Sequence, residues 1–185
     1  MKKLSKIAVA GGIAAATAAA GLGIAAASAN AATAAPAHSA APACSVAANE
    51  HVVESFVQTV LNKHDGAAGA SFLTTDAQWS GGTVGVVKGG ANVAGVFAGV
   101  VAALPDSHIT IDDIFGQGDQ VVIRVVVTGT QKGTLLGIPA SGRHISWDGV
   151  DVFQVTGGKI SNIWAGDDWT AILNDTGTYK APWIS

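Results

Sequence analysis

Hydrophobic residues in the C-terminal three quarters of the chain follow helical spacing first and strand spacing later. From Glu50 to Asn62 the apolar side chains fall on one helix face, and Asn49 stands where an N-cap is expected. A shorter helix is predicted over residues 67–73 and a third over residues 90–104, where Pro105 ends the pattern. We therefore expect about three helices before the main strands.

The segments that follow have the composition of β-strands. Residues 77–87 predict a short irregular strand, and β-branched residues then dominate four segments bounded by glycine-containing turns. These segments are 107–115, 120–130, 143–155 and about 159–166. Helices followed by an antiparallel meander predict an α+β domain, in which the helices pack on one face of a curved sheet and enclose a pocket.

The region before this domain has a different composition. Residues 1–31 combine a short basic start, an apolar run rich in Ala and Gly, and small residues at the exit, which predicts a cleaved secretory signal peptide. A membrane anchor is the alternative for the same run. Residues 32–48 consist mostly of Ala, Pro, Ser and Thr and predict a disordered linker. The folded domain is then residues 49–185, secreted and without stable membrane insertion once the signal peptide is removed.

Charge and cysteine content narrow the classes of partner. Removal of the signal peptide takes away three lysines and leaves seven basic residues against 13 acidic residues. An acidic domain without a basic cluster is a poor candidate for nucleic acid, so no such partner is expected. The single cysteine, Cys44, excludes an internal disulfide, and the five histidines lack the spacing of metal ligands. Neither a metal nor a cofactor is expected.

One acid lies among aromatic residues in a predicted strand. Asp151 shares a strand face with Trp147 and Phe153, because strand side chains alternate between faces. Its candidate partner is Arg124, the base in a strand otherwise made of Val, Ile and Thr. The two side chains would form a buried ion pair, or they would orient a substrate through its carbonyl or enolate oxygen.

Short motifs run through the second half of the domain in a characteristic order. They are Gly129-Thr130, Gly137-Ile138-Pro139, Ser141-Gly142-Arg143, Gly149 to Phe153, Gly158-Lys159-Ile160, Trp164 and Asp168. In the order and spacing of these motifs the chain resembles the SnoaL-like polyketide cyclase (ester cyclase) family. That family belongs to the cone-shaped superfamily of nuclear-transport-factor-like proteins, and the resemblance extends over about residues 50–177.

The resemblance implies a fold and a chemistry. The fold would be a cone-shaped, cystatin-like α+β roll whose curved antiparallel sheet and N-terminal helices enclose an apolar lumen. The activity would be an intramolecular aldol cyclisation, or an isomerisation alpha to a carbonyl, on an apolar carbonyl compound and without a cofactor. Asp168 would be the acid/base. Arg124 would help to hold the developing oxyanion, or Gln131 would, which stands where the family often has a histidine.

The residues around Asp168 leave its role open. Asp168 lies four residues after Trp164 and would share its strand face, where an apolar pocket would raise the pKa of the carboxyl into the range of a general base. Asp168 is equally well placed as the N-cap of a helix over residues 170–173. Asp167 would face the opposite way, toward solvent or as the capping residue.

The aromatic residues also have two interpretations. Trp79, Trp147 and Trp164 would fill the core, or they would form the walls of a ligand pocket together with Phe153 and Asp151. Three functions follow from these choices. The chain would be a cyclase- or isomerase-like enzyme, a non-catalytic module that binds an apolar small molecule, or a homodimeric interaction domain that buries its open sheet face.

Overall fold

The computed structural model describes residues 45–82 and 84–184. The predicted signal peptide and most of the predicted linker lie outside the described residues. The first helix begins at Val46, inside the predicted linker, and its N-cap is Ser45, whose hydroxyl accepts a hydrogen bond from the backbone N–H of Ala48. The predicted cap is therefore wrong. Asn49 is instead buried on this helix, and its amide donates to the carbonyl of Gly118 at 3.0 Å.

The described residues form four α-helices and six strands. The helices are α1 (Val46–Phe56), α2 (Gly69–Phe72), α3 (Gly90–Ala103) and α4 (Trp169–Thr176). The strands are β1 (Leu73–Gly81), β2 (Gly85–Lys88), β3 (His108–Gln117), β4 (Gln120–Thr130), β5 (His144–Thr156) and β6 (Lys159–Asp167). A π-helical segment (Val57–Asn62) continues α1, and a 3₁₀ turn (Gly66–Ala68) precedes α2.

The strands form one curved sheet in the order β2-β1-β6-β5-β4-β3. Strands β3 to β6 make the antiparallel meander that the sequence predicts, while β1 pairs in parallel with β6 and antiparallel with β2. The register shifts once within the β3–β4 pair, between Ile111 and Asp113, and once within the β5–β6 pair, between Gln154 and Val155. Such bulges bend a sheet and increase its twist. The predicted α+β class is confirmed.

The core lies between the helices and the inner face of the sheet. Phe56 of α1 is fully buried and meets Phe72, Phe97 and Phe153 with edge-to-face geometry, at ring-centroid distances of 5.8, 4.9 and 6.4 Å. Asn62 anchors the end of the π-helical segment to β3, since its amide group both donates to and accepts from the backbone of Ile109. These contacts hold the helices over the concave face.

The opposite face of the sheet carries several large apolar side chains. Phe115, Val150 and Trp164 are exposed there, with 58%, 51% and 43% of their surface accessible. Across residues 45–82 and 84–184, no helix combines the length and the apolar character that a membrane span requires.

Candidate functional site

A cavity separates the helices from the inner face of the sheet. Its volume is about 80 Å³, several times the space of roughly 10–15 Å³ that one water molecule requires. Apolar side chains from α1, the π-helical segment, α3, α4 and strands β1, β3, β4, β5 and β6 form most of its wall. Among the described residues on the wall, the ionisable side chains are Asp151 and Asp167, and no basic side chain accompanies them.

Strands β5 and β6 place the two acids side by side. In the antiparallel register Gly149 lies opposite Asp167, and Asp151 lies opposite Ala165. Asp151 and Asp167 are therefore diagonal neighbours on one face, a geometry that separates Cα atoms by about 7–8 Å and leaves the side chains within reach of each other. The charge of Asp167 accordingly acts on the pKa of Asp151.

Two glycines make this arrangement possible. A Cβ atom on Gly149 would lie 3.1 Å from a methyl group of Val125 and 3.4 Å from Oδ1 of Asp167, so the missing side chain leaves room for that carboxylate. A Cβ atom on Gly166 would lie 2.6 Å from the carbonyl oxygen of Val150, which no side chain tolerates. The backbone N–H of Gly166 donates to Oδ1 of Asp151 at 3.0 Å.

A tryptophan holds the second carboxylate. The Nε1–H of Trp147 donates to Oδ1 of Asp167, with 2.7 Å between the two atoms, and the indole is largely buried. In the part of the chain that the structure describes, the Oδ2 atoms of Asp151 and Asp167 receive no hydrogen bond from the protein. Each acid is thus oriented through one oxygen, and its other oxygen has no hydrogen-bond partner among the described residues.

The cavity changes the acidity of both groups. Burial raises the pKa of the Asp151 carboxyl from its ordinary 3.8 to about 7, the negative charge of Asp167 adds to this effect, and the hydrogen bond from Gly166 opposes it. Burial also raises the pKa of Asp167, and the hydrogen bond from Trp147 opposes that change. A carboxyl group with a pKa near neutrality can both take up and release a proton under physiological conditions.

Four predicted site residues lie on the cavity wall. Trp79, Trp147, Asp151 and Phe153 all line the cavity, on the face to which the strand alternation assigned the last three. The two tryptophans and Phe153 are also buried, so these side chains belong to the core and to the wall at once. Their role in binding a ligand stays a prediction.

The predicted position of Asp168 in the pocket is wrong. Asp168 is the N-cap of α4: its side chain is exposed, and its Oδ1 accepts a hydrogen bond from the backbone N–H of Ala171 at 3.0 Å. Trp164 is exposed on the outer face of the sheet and does not line the cavity. The cap, which the sequence left as the alternative, is the role that the structure supports.

The predicted pairing of Arg124 with Asp151 is also wrong. Arg124 lies on the outer face of β4, where its guanidinium donates to Asp112 at 2.7 Å and to Asp113 at 2.9 Å. The bulge in β3 explains why both acids reach one base, because the extra residue there turns two consecutive side chains toward the same neighbour. Arg124 cannot hold an oxyanion inside the cavity.

Gln131 is buried, and its side chain forms hydrogen bonds with backbone groups. Its amide nitrogen donates to the carbonyl oxygens of Ile138 and Pro139 at 3.1 and 3.0 Å, and its carbonyl oxygen accepts from the N–H of Ser141 at 3.1 Å. The side chain does not line the cavity, so the predicted oxyanion role is wrong in position. Its hydrogen bonds fix the loop between β4 and β5, which contributes Leu135 and Leu136 to the cavity wall.

The loop wall includes an unusual backbone conformation. Leu136 has a φ of 45° and Gly137 has a φ of 94°, and the turn is closed by reciprocal hydrogen bonds between the backbones of Leu135 and Ile138. Left-handed φ values are uncommon for a residue with a side chain. The turn directs a leucine toward the cavity at a position where glycine would be relaxed.

Asp167 is the residue that the sequence reasoning placed on the wrong face. It follows Ile163 and Ala165 at the two-residue spacing of a strand, and both of these are packed on the inner side. That alternation was the available signal. Trp164 obscures this signal, because a large aromatic side chain favours the inner face whereas this one is exposed.

The cap assignment makes a test of Asp168 possible. Replacing Asp168 with alanine is expected to lower the free energy of unfolding by about 1 kcal/mol, because the N–H of Ala171 loses its partner. Asp168→Asn retains a capping side chain and should change stability much less. Urea denaturation of the two variants measures the difference. Equal losses of stability in Asp168→Ala and Asp168→Asn would contradict the capping role.

Comparisons with known proteins place this site in a family. A family model described as SnoaL-like polyketide cyclase matches residues 51–176. No curated protein sequence matches the chain. Among solved structures, TsrD from Streptomyces laurentii is 26% identical with a TM-score of 0.63, and the match covers 72% of this chain and 97% of that chain.

Two further structures show the same architecture. AclR from Streptomyces galilaeus is 22% identical with a TM-score of 0.63, covering 73% of this chain and 99% of that chain. An NTF2-like protein from Burkholderia xenovorans LB400 is 20% identical with a TM-score of 0.56, covering 71% of this chain and 98% of that chain. These likenesses confirm the expected cone fold. Because the family model spans more than half of the sequence, the chain belongs to the SnoaL-like polyketide cyclase family.

Proposed function

We propose that the protein is an exported, cofactor-independent enzyme that moves protons on a small apolar carbonyl compound, in the manner of a cyclase or isomerase. The observation that carries the proposal is the pair of carboxyl groups, Asp151 and Asp167, in an otherwise apolar cavity. Burial raises the pKa of both groups, and that of Asp151 to about 7. Near neutral pH the pair therefore supplies one acid and one base in the same site.

The proposed reaction uses both members of the pair. The ionised carboxylate removes a proton from the carbon next to a carbonyl group, and the protonated carboxyl group donates its proton to the carbonyl oxygen. The product is an enol, and the pair has exchanged its protonation states. If the substrate also carries a conjugated or β,γ double bond, the enol loses its O–H proton to one carboxylate and gains a proton at the γ-carbon from the other acid, which gives an isomer. Attack of the enol carbon on a second carbonyl of the same molecule gives a ring, and the oxygen of that carbonyl takes up a proton as the enol O–H gives one up. The net reaction consumes no other reagent.

The size of the cavity bears on the substrate. Ligand pockets usually measure about 300–1,000 Å³, whereas this cavity measures about 80 Å³. A small carbonyl compound fits this arrangement better than a polycyclic ester does. A larger guest would have to displace the wall contributed by Leu136 and Trp169, both of which are only partly buried.

The location and assembly of the protein are further parts of the proposal. Export rests on the composition of residues 1–31, which lie outside the described residues. A homodimer is supported by the exposed apolar side chains on the outer sheet face, Phe115, Val150 and Trp164. A non-catalytic binding module remains the second candidate, because the apolar wall would also suit a ligand that does not react.

Hydrogen exchange distinguishes the two candidates. Small cyclic ketones are incubated with the protein in D₂O, and loss of the signal from hydrogens next to the carbonyl is followed by proton NMR. The proposed enzyme should accelerate exchange over a double variant, Asp151→Asn with Asp167→Asn, which keeps the size of both side chains. Saturable binding of the ketones with equal exchange by both proteins would reject the enzyme and favour the binding module.

A further inference from the structure

The two partly buried acids of the cavity, Asp151 and Asp167, are held by different donors. Asp151 receives the backbone N–H of Gly166, which every residue at that position except proline would supply. Asp167 accepts a hydrogen bond from the indole N–H of Trp147, a donor that is lost if the tryptophan is replaced by another aromatic hydrocarbon side chain. The hydrogen bonds measure 3.0 Å to Asp151 and 2.7 Å to Asp167. The indole bond has the length of a charge-assisted hydrogen bond, a class that stabilises an ionised acceptor.

The strand geometry explains how the indole reaches Asp167. Trp147 and Gly149 lie on the same face of β5, two residues apart, and Gly149 is the residue opposite Asp167. Since Gly149 has no side chain, no group of β5 stands at that point between the indole and the carboxylate. Val125 and Val127 of β4 pair with Gly149 and Trp147, and their buried side chains surround the hydrogen bond with apolar groups.

We propose that Trp147 is a positioning residue that makes Asp167 the proton acceptor of the pair and leaves Asp151 as the proton donor. The inference deepens the proposed acid–base function and rests on it. The indole hydrogen bond favours the ionised form of Asp167, because a carboxylate oxygen is a stronger acceptor than the oxygen of a protonated carboxyl group. Asp151 has no such hydrogen bond from an indole. Burial and the negative charge of Asp167 favour its protonated form.

Few groups other than Trp147 lie close enough to Asp167 to influence its protonation. On the cavity side, Asp151 is the other ionisable group among the described residues of the wall. On the outer side of the sheet, Arg124, Asp148 and Asp168 border an open depression that also touches Asp167. Arg124 is engaged by Asp112 and Asp113, as described above. The side chains of β4 and α4 that line the cavity are apolar, apart from the indole nitrogen of Trp169.

The proposal is tested on the whole protein without a substrate. Aspartate labelled with ¹³C in the carboxyl group reports the titration of each acid by NMR. Trp147→Phe keeps an aromatic ring in the cavity and removes the donor, and it is expected to raise the pKa of Asp167 by about one unit. Trp79→Phe is the matched control, since Trp79 is also a buried residue of the wall but has no hydrogen bond to either acid. Trp79→Phe should leave the pKa values of Asp151 and Asp167 unchanged.

A second measurement uses the unmodified sequence and so does not depend on the folding of a variant. In ¹⁵N-labelled protein, the indole N–H resonance of Trp147 should follow the titration of Asp167, and that of Trp79 should not. An indole resonance of Trp147 that ignores this titration, or equal shifts of Asp167 in both Phe variants, would overturn the proposal. Absence of turnover with correct titrations would instead reject the proposed function and leave the assignment of the proton standing.

Discussion

Replacing Asp151 with asparagine is expected to raise the free energy of unfolding at pH 8 by up to about 4 kcal/mol and to change it little near pH 4. The folded protein holds the pKa of this carboxyl at about 7, above its ordinary 3.8. For an acid whose pKa is raised by folding, the stabilising contribution is complete below the ordinary value and is lost as the pH rises through the folded value. A shift of about three units corresponds to about 4 kcal/mol.

Urea denaturation between pH 4 and pH 8 measures this effect. The wild-type protein should lose stability over that interval, and Asp151→Asn should lose much less because its amide does not ionise and can still accept from the N–H of Gly166. Asp148→Asn is the control, since Asp148 is an exposed acid on the same strand. Parallel stability profiles for the wild type and Asp151→Asn would show that Asp151 is not buried in the folded protein in the way described here.

Replacing Asp167 with asparagine is expected to lower kcat/KM for the proposed proton transfer by a factor of about 10² to 10⁴, the usual contribution of a general base. The asparagine can accept the hydrogen bond from Trp147 through its carbonyl oxygen, so the fold and the cavity should persist. In the wild-type protein, activity should fall as the pH rises above about 7, because Asp151 then loses the proton that it donates. The hydrogen-exchange assay measures both quantities.

The neighbouring acid gives the control for this prediction. Asp168→Asn changes an adjacent carboxylate in the same way, but outside the cavity. Activity within a factor of about two of the wild type is expected for Asp168→Asn. If the two variants were equally impaired, a general loss of negative charge at the end of β6 would explain the data better than a base at Asp167.

The sequence predicted the inner face of β5 correctly because its alternation is unambiguous. Trp147 and Phe153 are large and apolar, so the acid between them had to share their side. The same alternation was available for Arg124, which shares its face of β4 with Gln120 and Thr128 while Val121, Ile123, Val125 and Val127 occupy the other face. The valines at positions 122 and 126 on the polar face weaken the contrast. The bulge in β3 brings Asp112 and Asp113 to Arg124 and interrupts the two-residue alternation on which the orientation of side chains is predicted.

The order of the strands shows the same division between local and long-range information. The meander from β3 to β6 follows from β-branched runs and from the two-residue turns that join β3 to β4 and β5 to β6, all of which are local. The parallel pairing of β1 with β6 joins residues 84 to 87 positions apart, with α3 the single helix between β1 and β3, so no local pattern specifies it. At Asp167 and Asp168 a local choice between two adjacent acids depended on one tryptophan, and that tryptophan is exposed.

Gly166 contributes to the sheet and to the acid pair through different atoms. Its Cα lies where a side chain would strike the carbonyl of Val150, and its N–H supplies the hydrogen bond to Asp151. Selection on packing alone would therefore preserve this glycine. Relatives that have exchanged the acid at 151 for an apolar residue should still carry glycine at 166, whereas the tryptophan at 147 should vary once the acid at 167 is gone.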